Sequence, residues 1–359
     1  MTPFFPNDGD YLDVVRGQPA HRRKPSDESE STFAEDNSLD SVLKEVGDHS
    51  APEWPGENLL HYDEISTLKL LRQLGLSDKA ISTLVLGAAS LEDLDTISAL
   101  WLLRDLAAEQ TETTRFKIEG GNDRLPMAFA RRLSDRMRYG AGVTGIKQDP
   151  DRVEVFYDQL GATRQLAGDY LVCTLPFPVL RGIRVEPEFS PGKQRAIREL
   201  QYGSVTRSLV QVSRRFWEDS GANGFARTDD PAEVWHATWD QPGPRGILTS
   251  YLKQKTARRV AQFGRQLQQE FVINQLGRVH PGLQDYAENI VTMIWSKDPW
   301  AKGAYFLARP GQMAELFPHV ATPEGRVFFA GEHTSSWPSW MQGALQSGLR
   351  AAREVNDAV

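Results

Sequence analysis

Residues 325–355 constrain the fold more than any other part of the chain. The run Val327-Phe328-Phe329-Ala330 is continuously apolar, as a buried strand requires, and it passes directly into a Gly331-Glu332 turn. A helix follows in which Met341, Ala344, Leu345, Gly348, Leu349, Ala352 and Val355 recur at helical spacing, predicting a stripe buried against the core. Gly343, Ala344, Ser347, Gly348, Ala351 and Ala352 leave room for another element to approach closely. Strand, turn and helix in this order aim backbone N–H groups, from about Ser339 to Gln342, at the carboxyl edge of a sheet, a place suited to a negatively polarised ligand. The same pattern fits a terminal helix docked on a sheet, with Trp337 and Trp340 as core aromatics.

Upstream, strand and helix patterns alternate, which predicts a mixed α and β chain. β-branched and aromatic enrichment marks strands at 152–157, 170–174, 207–213, 246–252 and 326–330. Residues 62–109 read as three helices, with Ile65, Leu68, Leu71 and Leu74 on one face, a stop at Gly75, and N-cap signals at Ser77-Asp78 and Ser90 to Asp93. Pro126 falls in the first turn of a helix whose apolar stripe is Leu125, Phe129, Leu133 and Met137. Residues 255–276 read as one long amphipathic helix. Residues 26–48 carry eight acidic residues and one lysine among serines, so they read as a linker, or at most a short surface helix at 38–46.

Composition narrows the function classes. With 41 Lys+Arg against 48 Asp+Glu the formal charge is −7, an acidic balance that predicts no nucleic-acid or anionic-membrane partner. At 359 residues the length suits about two domains, and no apolar run reaches the ~18 residues of a membrane span. Cys173, the single cysteine, cannot close an intramolecular disulfide and reads as a buried structural thiol rather than a nucleophile. The seven histidines lack metal-ligand spacing, so no metal is expected. No secretory signal is visible, which leaves the cytoplasm as the default compartment.

Gly140-Ala141-Gly142-Val143-Thr144-Gly145 matches the dinucleotide fingerprint G-x-G-x-x-G. Its mechanism needs a strand before the turn and a helix beginning inside it, whose N-terminal amides meet a pyrophosphate. Asp149-Pro150 stops any helix after barely a turn, so the match reads as a coincidence. A nicotinamide-dependent reductase built on it would require a helix after Gly145; a strand there disposes of that alternative.

The segment FFAGEHTSSWPSWMQGALQSGLRAAREV resembles the C-terminal FAD-binding segment of the flavin-dependent amine oxidases, the family of L-amino-acid, monoamine and polyamine oxidases. FKIEGGNDRLPMAFARRL, YLVCTLP, LQYGSVTRSLVQVSRRFWED and DPWAKGAYFLARPGQ resemble further segments of that family in the family's order. The likeness runs from about Phe4 to the C-terminus and is nearest to the L-amino-acid oxidase branch. It implies a fold of mixed α/β and α+β character: a partial FAD-binding Rossmann-like domain (116–180 and 300–359) and a substrate-binding domain of mixed sheet plus helices (181–299). A helical subdomain (61–115) and an N-terminal remnant with the acidic linker (1–60) complete it.

The resemblance also implies roles for particular residues. Val143 would lie against the adenosine half of FAD. Gly331 and Glu332 would form the cofactor turn, with Glu332 accepting a hydrogen bond from the sugar-alcohol chain, and Ser339, Trp340, Met341 and Ala344 would line the flavin. Tyr305 and Trp340 would flank the substrate, and Tyr251 would bind it. Ala304 stands where monoamine oxidases carry the cysteine bonded to flavin, so the FAD is expected to be non-covalent. For Tyr251 and Tyr305 the competing reading is a sheet tyrosine with a satisfied hydroxyl.

The implied reaction oxidises an amine or L-amino acid to the imine and passes the electrons to oxygen, giving hydrogen peroxide, ammonia and a carbonyl product. Two departures bear on it. Arg207 occupies the position of the family's catalytic-site lysine, and arginine cannot give up its proton as a shifted lysine can. The family's opening strand, glycine turn and helix would precede the point where this sequence starts. The chain is therefore expected to form a homo-oligomer or to need a complementing N-terminal FAD-binding segment; the alternative is a truncated, non-catalytic remnant or binding subunit.

Overall fold

Five strands rich in β-branched and aromatic residues between 205 and 294, with two more from the first 23 residues, build the largest element, a seven-stranded sheet. Its strand order is Ala287–Ile294, Val205–Val212, Gly246–Lys253, Ala232–His236, Ala222–Thr228, Asp10–Val14, His21–Arg23. All neighbours are antiparallel except Asp10–Val14, which runs parallel to Ala222–Thr228. The structure is a computed structural model, and it describes residues 2–6, 8–15, 18–24, 37–51, 54–86, 89–111, 116–229 and 232–359. Residues 26–36 of the acidic stretch lie outside the described residues.

Because strand side chains alternate in direction, the sheet has two chemically different faces. Leu12, Val210, Val212, Ala226, Val234 and Leu248 point to one side and pack on Val272, Leu276 and Val279 of the helix Arg265–Val279. The other side carries Arg207, Tyr251, Glu233, Trp235 and Arg227. The expected long helix at 255–276 is two helices, Gln254–Ala261 and Arg265–Val279, broken at Phe263-Gly264, where Gly264 takes an extended N-cap conformation.

A second sheet of four strands, ordered Ala162–Gly168, Val153–Gln159, Gly142–Gln148 and Arg184–Glu186, contains the fingerprint sequence. Gly142–Gln148 is a strand and no helix follows Gly145, so the reductase alternative falls. Leu171–Cys173 and Val327–Phe329 pair in parallel as a separate two-stranded sheet. Cys173 is free and buried, and burial pushes its thiol pKa up, in keeping with a structural thiol.

Residues 60–111 are helical, but as five short helices rather than three. Ser77 caps Asp78–Leu84 by accepting the Ala80 N–H, and Ser90 and Asp93 form a reciprocal capping box. The helix Asn37–Val46 is no surface element: Leu39, Val42, Leu43 and Val46 are buried in the main core with Leu71, Leu100, Leu103, Phe306 and Phe329. The density of acids hid four apolar residues at helical spacing. Two stripes are corrected in the opposite sense. Phe129, Leu133 and Met137 are exposed, and the helix ends at Arg132. In the C-terminal helix Met341–Asp357, the inward face is Gly343, Ser347 and Ala351, whereas Met341, Leu345 and Leu349 face outward. Among the described residues no helix is long and apolar enough to cross a membrane.

Candidate active site

One rung of the large sheet places Met293, Arg207, Tyr251, Glu233, Arg227 and Asp13 side by side, each on its own strand and all on the face away from the helix Arg265–Val279. Trp235, two residues along from Glu233, lies beneath the centre of this row. Its ring stacks on Tyr251 with centroids 4.9 Å apart, and the Arg207 guanidinium sits over it at 5.5 Å. Ion pairs hold the flanks: Arg227 to Asp13 at 2.7 Å and Lys253 to Glu233 at 2.5 Å. Arg207 differs, because its buried Nε has no hydrogen-bond partner. The result is a half-buried cation beside an aromatic floor.

Tyr305 reaches this face from the segment after Trp300. Its hydroxyl meets that of Tyr251, whose pKa burial raises far above the physiological range, so Tyr251 remains a neutral donor. The segment is fixed against the 201–204 turn: Gly203 N–H donates to Tyr305 O at 2.8 Å, and Ala304 N–H to Gly203 O at 2.9 Å. A Cβ on residue 203 would stand 2.8 Å from the Ala304 carbonyl oxygen, so this crossing requires glycine.

The next residue connects the sheet face to the Gly331-Glu332 turn. Phe306 N–H donates to the Glu332 carboxylate, while Ser339 N–H donates to Glu332 Oε2 at 2.6 Å. Burial raises the Glu332 pKa; the two N–H donors, the Arg104 charge and the facing Tyr202 hydroxyl act in the opposite direction. Glu332 thus ties the turn, the Tyr305 segment and the start of the C-terminal helix together. Gly331 N–H donates to Ser347 Oγ at 2.9 Å, seating the turn on the helix. A Cβ at Gly343 would come within 1.9 Å of Trp337 O, which accounts for the small inward face of the helix.

Trp340 is the N-cap residue of this helix in extended conformation, and no side chain caps the terminus. Met341 and Ala344 are exposed beside it. Arg207, Tyr251 and Tyr305 are therefore joined on one face, Gly331, Glu332, Ser339, Trp340, Met341 and Ala344 around one turn, and the Tyr305-Phe306 peptide links the two groups. Val143 stands apart, on the strand Gly142–Gln148 opposite Tyr157. Sequence reading missed Trp235, Glu233 and Tyr202; the alternation Glu233, Trp235 within a short strand was the available signal for two of them.

Comparison with known proteins gives the family and the fold. The family of flavin containing amine oxidoreductases matches residues 38–356. A putative L-amino-acid oxidase of Bacillus subtilis (strain 168) is 33% identical over 72% of this chain and 56% of its own length. The flavin-dependent L-tryptophan oxidase of Lentzea aerocolonigenes is 30% identical over 69% of this chain and 54% of its own. The chain spans about half the length of the curated relatives it matches. Among solved structures, cyclohexylamine oxidase from Brevibacterium oxydans IH-35A superposes with a TM-score of 0.82 at 18% identity, covering 98% of this chain and 81% of the other. Putrescine oxidase bound to putrescine gives 0.83 at 16% identity, with 99% and 82% covered, a likeness of fold. The chain belongs to the flavin-containing amine oxidoreductase family.

Proposed function

We propose that the chain forms the substrate face and the flavin-side half of an FAD-dependent oxidase that converts an L-amino acid, or a simpler amine, to its imine, with oxygen as the final electron acceptor. The observation that carries this reading is the Tyr305-Phe306 link, which sets the Arg207–Tyr251–Trp235 face directly beside the Glu332 turn.

The residues fit the flavin end of FAD. The uncapped N-terminus of a 17-residue helix offers backbone N–H groups and the positive end of its dipole, and Met341 and Ala344 beside it offer apolar surface. A flat ring system with polarised oxygens at one edge matches both features. With Ala304 in place of a cysteine, the attachment is non-covalent. The 140–145 fingerprint makes no cradle for the pyrophosphate, since it runs from a turn into the strand Gly142–Gln148. We assign that half to a complementing N-terminal segment.

When bound, FAD supplies the capacity to accept a hydride equivalent from the carbon bearing nitrogen. The chain's own residues bind and orient the substrate. Trp235, Tyr251 and Tyr305 form apolar walls that exclude water and favour the neutral amine by making the ammonium costly to desolvate. Arg207, a permanent cation with an unpartnered Nε, suits a carboxylate, and this favours an amino acid over a plain amine. The Tyr251 hydroxyl, held neutral, is a second donor on the same side. Hydrolysis of the released imine would yield the keto acid and ammonia. Purified chain loaded with FAD is expected to release peroxide with L-amino acids. Absence of both retained flavin and peroxide across a panel of amino acids and amines would favour the non-catalytic remnant.

A further inference from the structure

A cavity of about 550 Å³, within the size range of small-molecule sites, opens beside the C-terminal helix, with Thr334, Ser335 and Ser336 from the segment after the Gly331-Glu332 turn on its rim. At 100° per residue, Gln346, Leu349, Arg350, Arg353, Glu354 and Asp357 form its helical wall, turned well away from the Met341–Ala344–Gly348 stripe. Arg104, from the helix Ala99–Thr111, forms its floor, with Trp54 and Phe317 at the sides.

Arg104 is the unusual feature. It is 1% exposed, its guanidinium lies 4.0 Å from the Trp101 centroid, 5.3 Å from Phe317 and 5.8 Å from Trp54, and none of its three nitrogens has a hydrogen-bond partner. Ring faces attract the charge, but they do not replace five missing N–H acceptors. Burial lowers its pKa to about 9, with Asp105 and Glu332 only partly offsetting that loss. Arg350 Nε pairs with Glu354 Oε1 at 3.1 Å on its wall, and a further buried polar atom without a hydrogen-bond partner, His49 Nε2, lines the same cavity. Such groups cost free energy unless something accepts from them.

We propose that this cavity is a binding site for a small organic carboxylate, its charged group held by Arg104 and its apolar body lying between Trp54 and Phe317. The charge of the lining decides for a monoanion. Arg104, Arg350 and Arg353 face Glu354 and Asp357, leaving one positive charge in excess, and His49 is held towards its neutral form by burial and by Arg104. The aromatic sides decide for an organic body over a bare inorganic ion. The site is separate from the substrate face, because it shares no residue with the Arg207 rung.

Cyclohexanecarboxylate and its neutral isostere cyclohexanecarboxamide, titrated calorimetrically into the full chain, test this. The acid is expected to bind here independently of the Arg207 face, with the amide weaker by about tenfold or more, since it lacks the charge-assisted hydrogen bonds. Arg104→Met, which removes the orphaned charge while keeping volume, is expected to reduce the acid's affinity at this site to that of the amide; in Arg207→Met, where the substrate face can no longer take a carboxylate, the Arg104-dependent binding is expected to persist. No binding to wild type up to about 10 mM, equal affinity for acid and amide, or loss of binding in Arg207→Met instead of Arg104→Met would each overturn the proposal. The acid–amide comparison needs only the wild-type chain, so the proposal stays open to refutation if Arg104→Met fails to fold.

Discussion

Arg207 and Tyr251 face each other directly across two antiparallel strands, and the Trp235 ring lies under both. A half-buried cation whose Nε has no hydrogen-bond partner and a buried neutral hydroxyl converge on one small aromatic floor. If this pair holds a substrate carboxylate, Arg207→Met should lower kcat/KM for an L-amino acid by about 10- to 100-fold, the worth of a charged hydrogen bond. The amine lacking only that carboxylate should lose much less. Peroxide assays on matched pairs check this; equal losses for both would mean that Arg207 does not read the carboxylate.

Tyr251 should contribute as a protonated donor at every usable pH. Its hydroxyl is buried and its pKa is raised out of reach, so no alkaline limb of the pH–rate profile belongs to it. Tyr251→Phe is expected to cost about tenfold in kcat/KM, one ordinary hydrogen bond, without moving the profile. A shifted alkaline limb in the variant would contradict that assignment.

Glu332 is expected to matter first through the turn it closes. Glu332→Gln puts an amide where Ser339 and Phe306 N–H groups point, and one of those donors is left facing an N–H or a weaker acceptor. A loss of about 1–3 kcal/mol in unfolding free energy is expected, with weaker flavin retention. Unchanged stability in denaturant titration would show that the carboxylate does not hold the turn.

Acid should weaken the fold through its buried histidines. Burial holds His236 at about 3, His280 at about 4 and His333 at about 3, with Arg215 adding to the effect at His236. Their folded pKa values lie below the unfolded value, so the unfolded chain takes up protons first. Their contribution is fully present above about pH 6.5 and is lost as pH falls towards the folded values, by up to about 1.4 kcal/mol per pH unit for each histidine. Thermal melts from pH 8 to 5 should show a falling Tm, and His280→Gln should flatten the slope. A Tm independent of pH over that range would count against it.

How much of this was legible in the sequence follows from what each signal depends on. Strands at 152–157, 170–174, 207–213 and 246–252 appeared close to where they were expected, since alternation and β-branching are local properties. Ser77 and Ser90 likewise cap the helices they announce. Which face of a helix is buried is not local. The Met341–Val355 stripe has the spacing of a core face, yet Gly343, Ser347 and Ala351 make the contact because only small residues admit Trp337 O. The acids around Leu39 and Val42 concealed a core helix for the same reason. Tyr251 and Arg207 were named from motif likeness, but their opposition across a rung, and Trp235 beneath them, required strand register. Arg104 carries no motif at all, and its isolation among Trp54, Trp101 and Phe317 exists only in three dimensions.

The central claim, that the Arg207–Tyr251 face and the Glu332 turn form one oxidase site, is tested most directly by the reductive half-reaction. FAD-loaded protein is mixed anaerobically with an L-amino acid and its visible absorbance followed. The account predicts bleaching of the bound flavin, markedly slower in Arg207→Met and in Tyr251→Phe, with colour restored when air is admitted. Flavin that binds yet stays fully oxidised with every amino acid and amine offered, in wild type as in the variants, would contradict it.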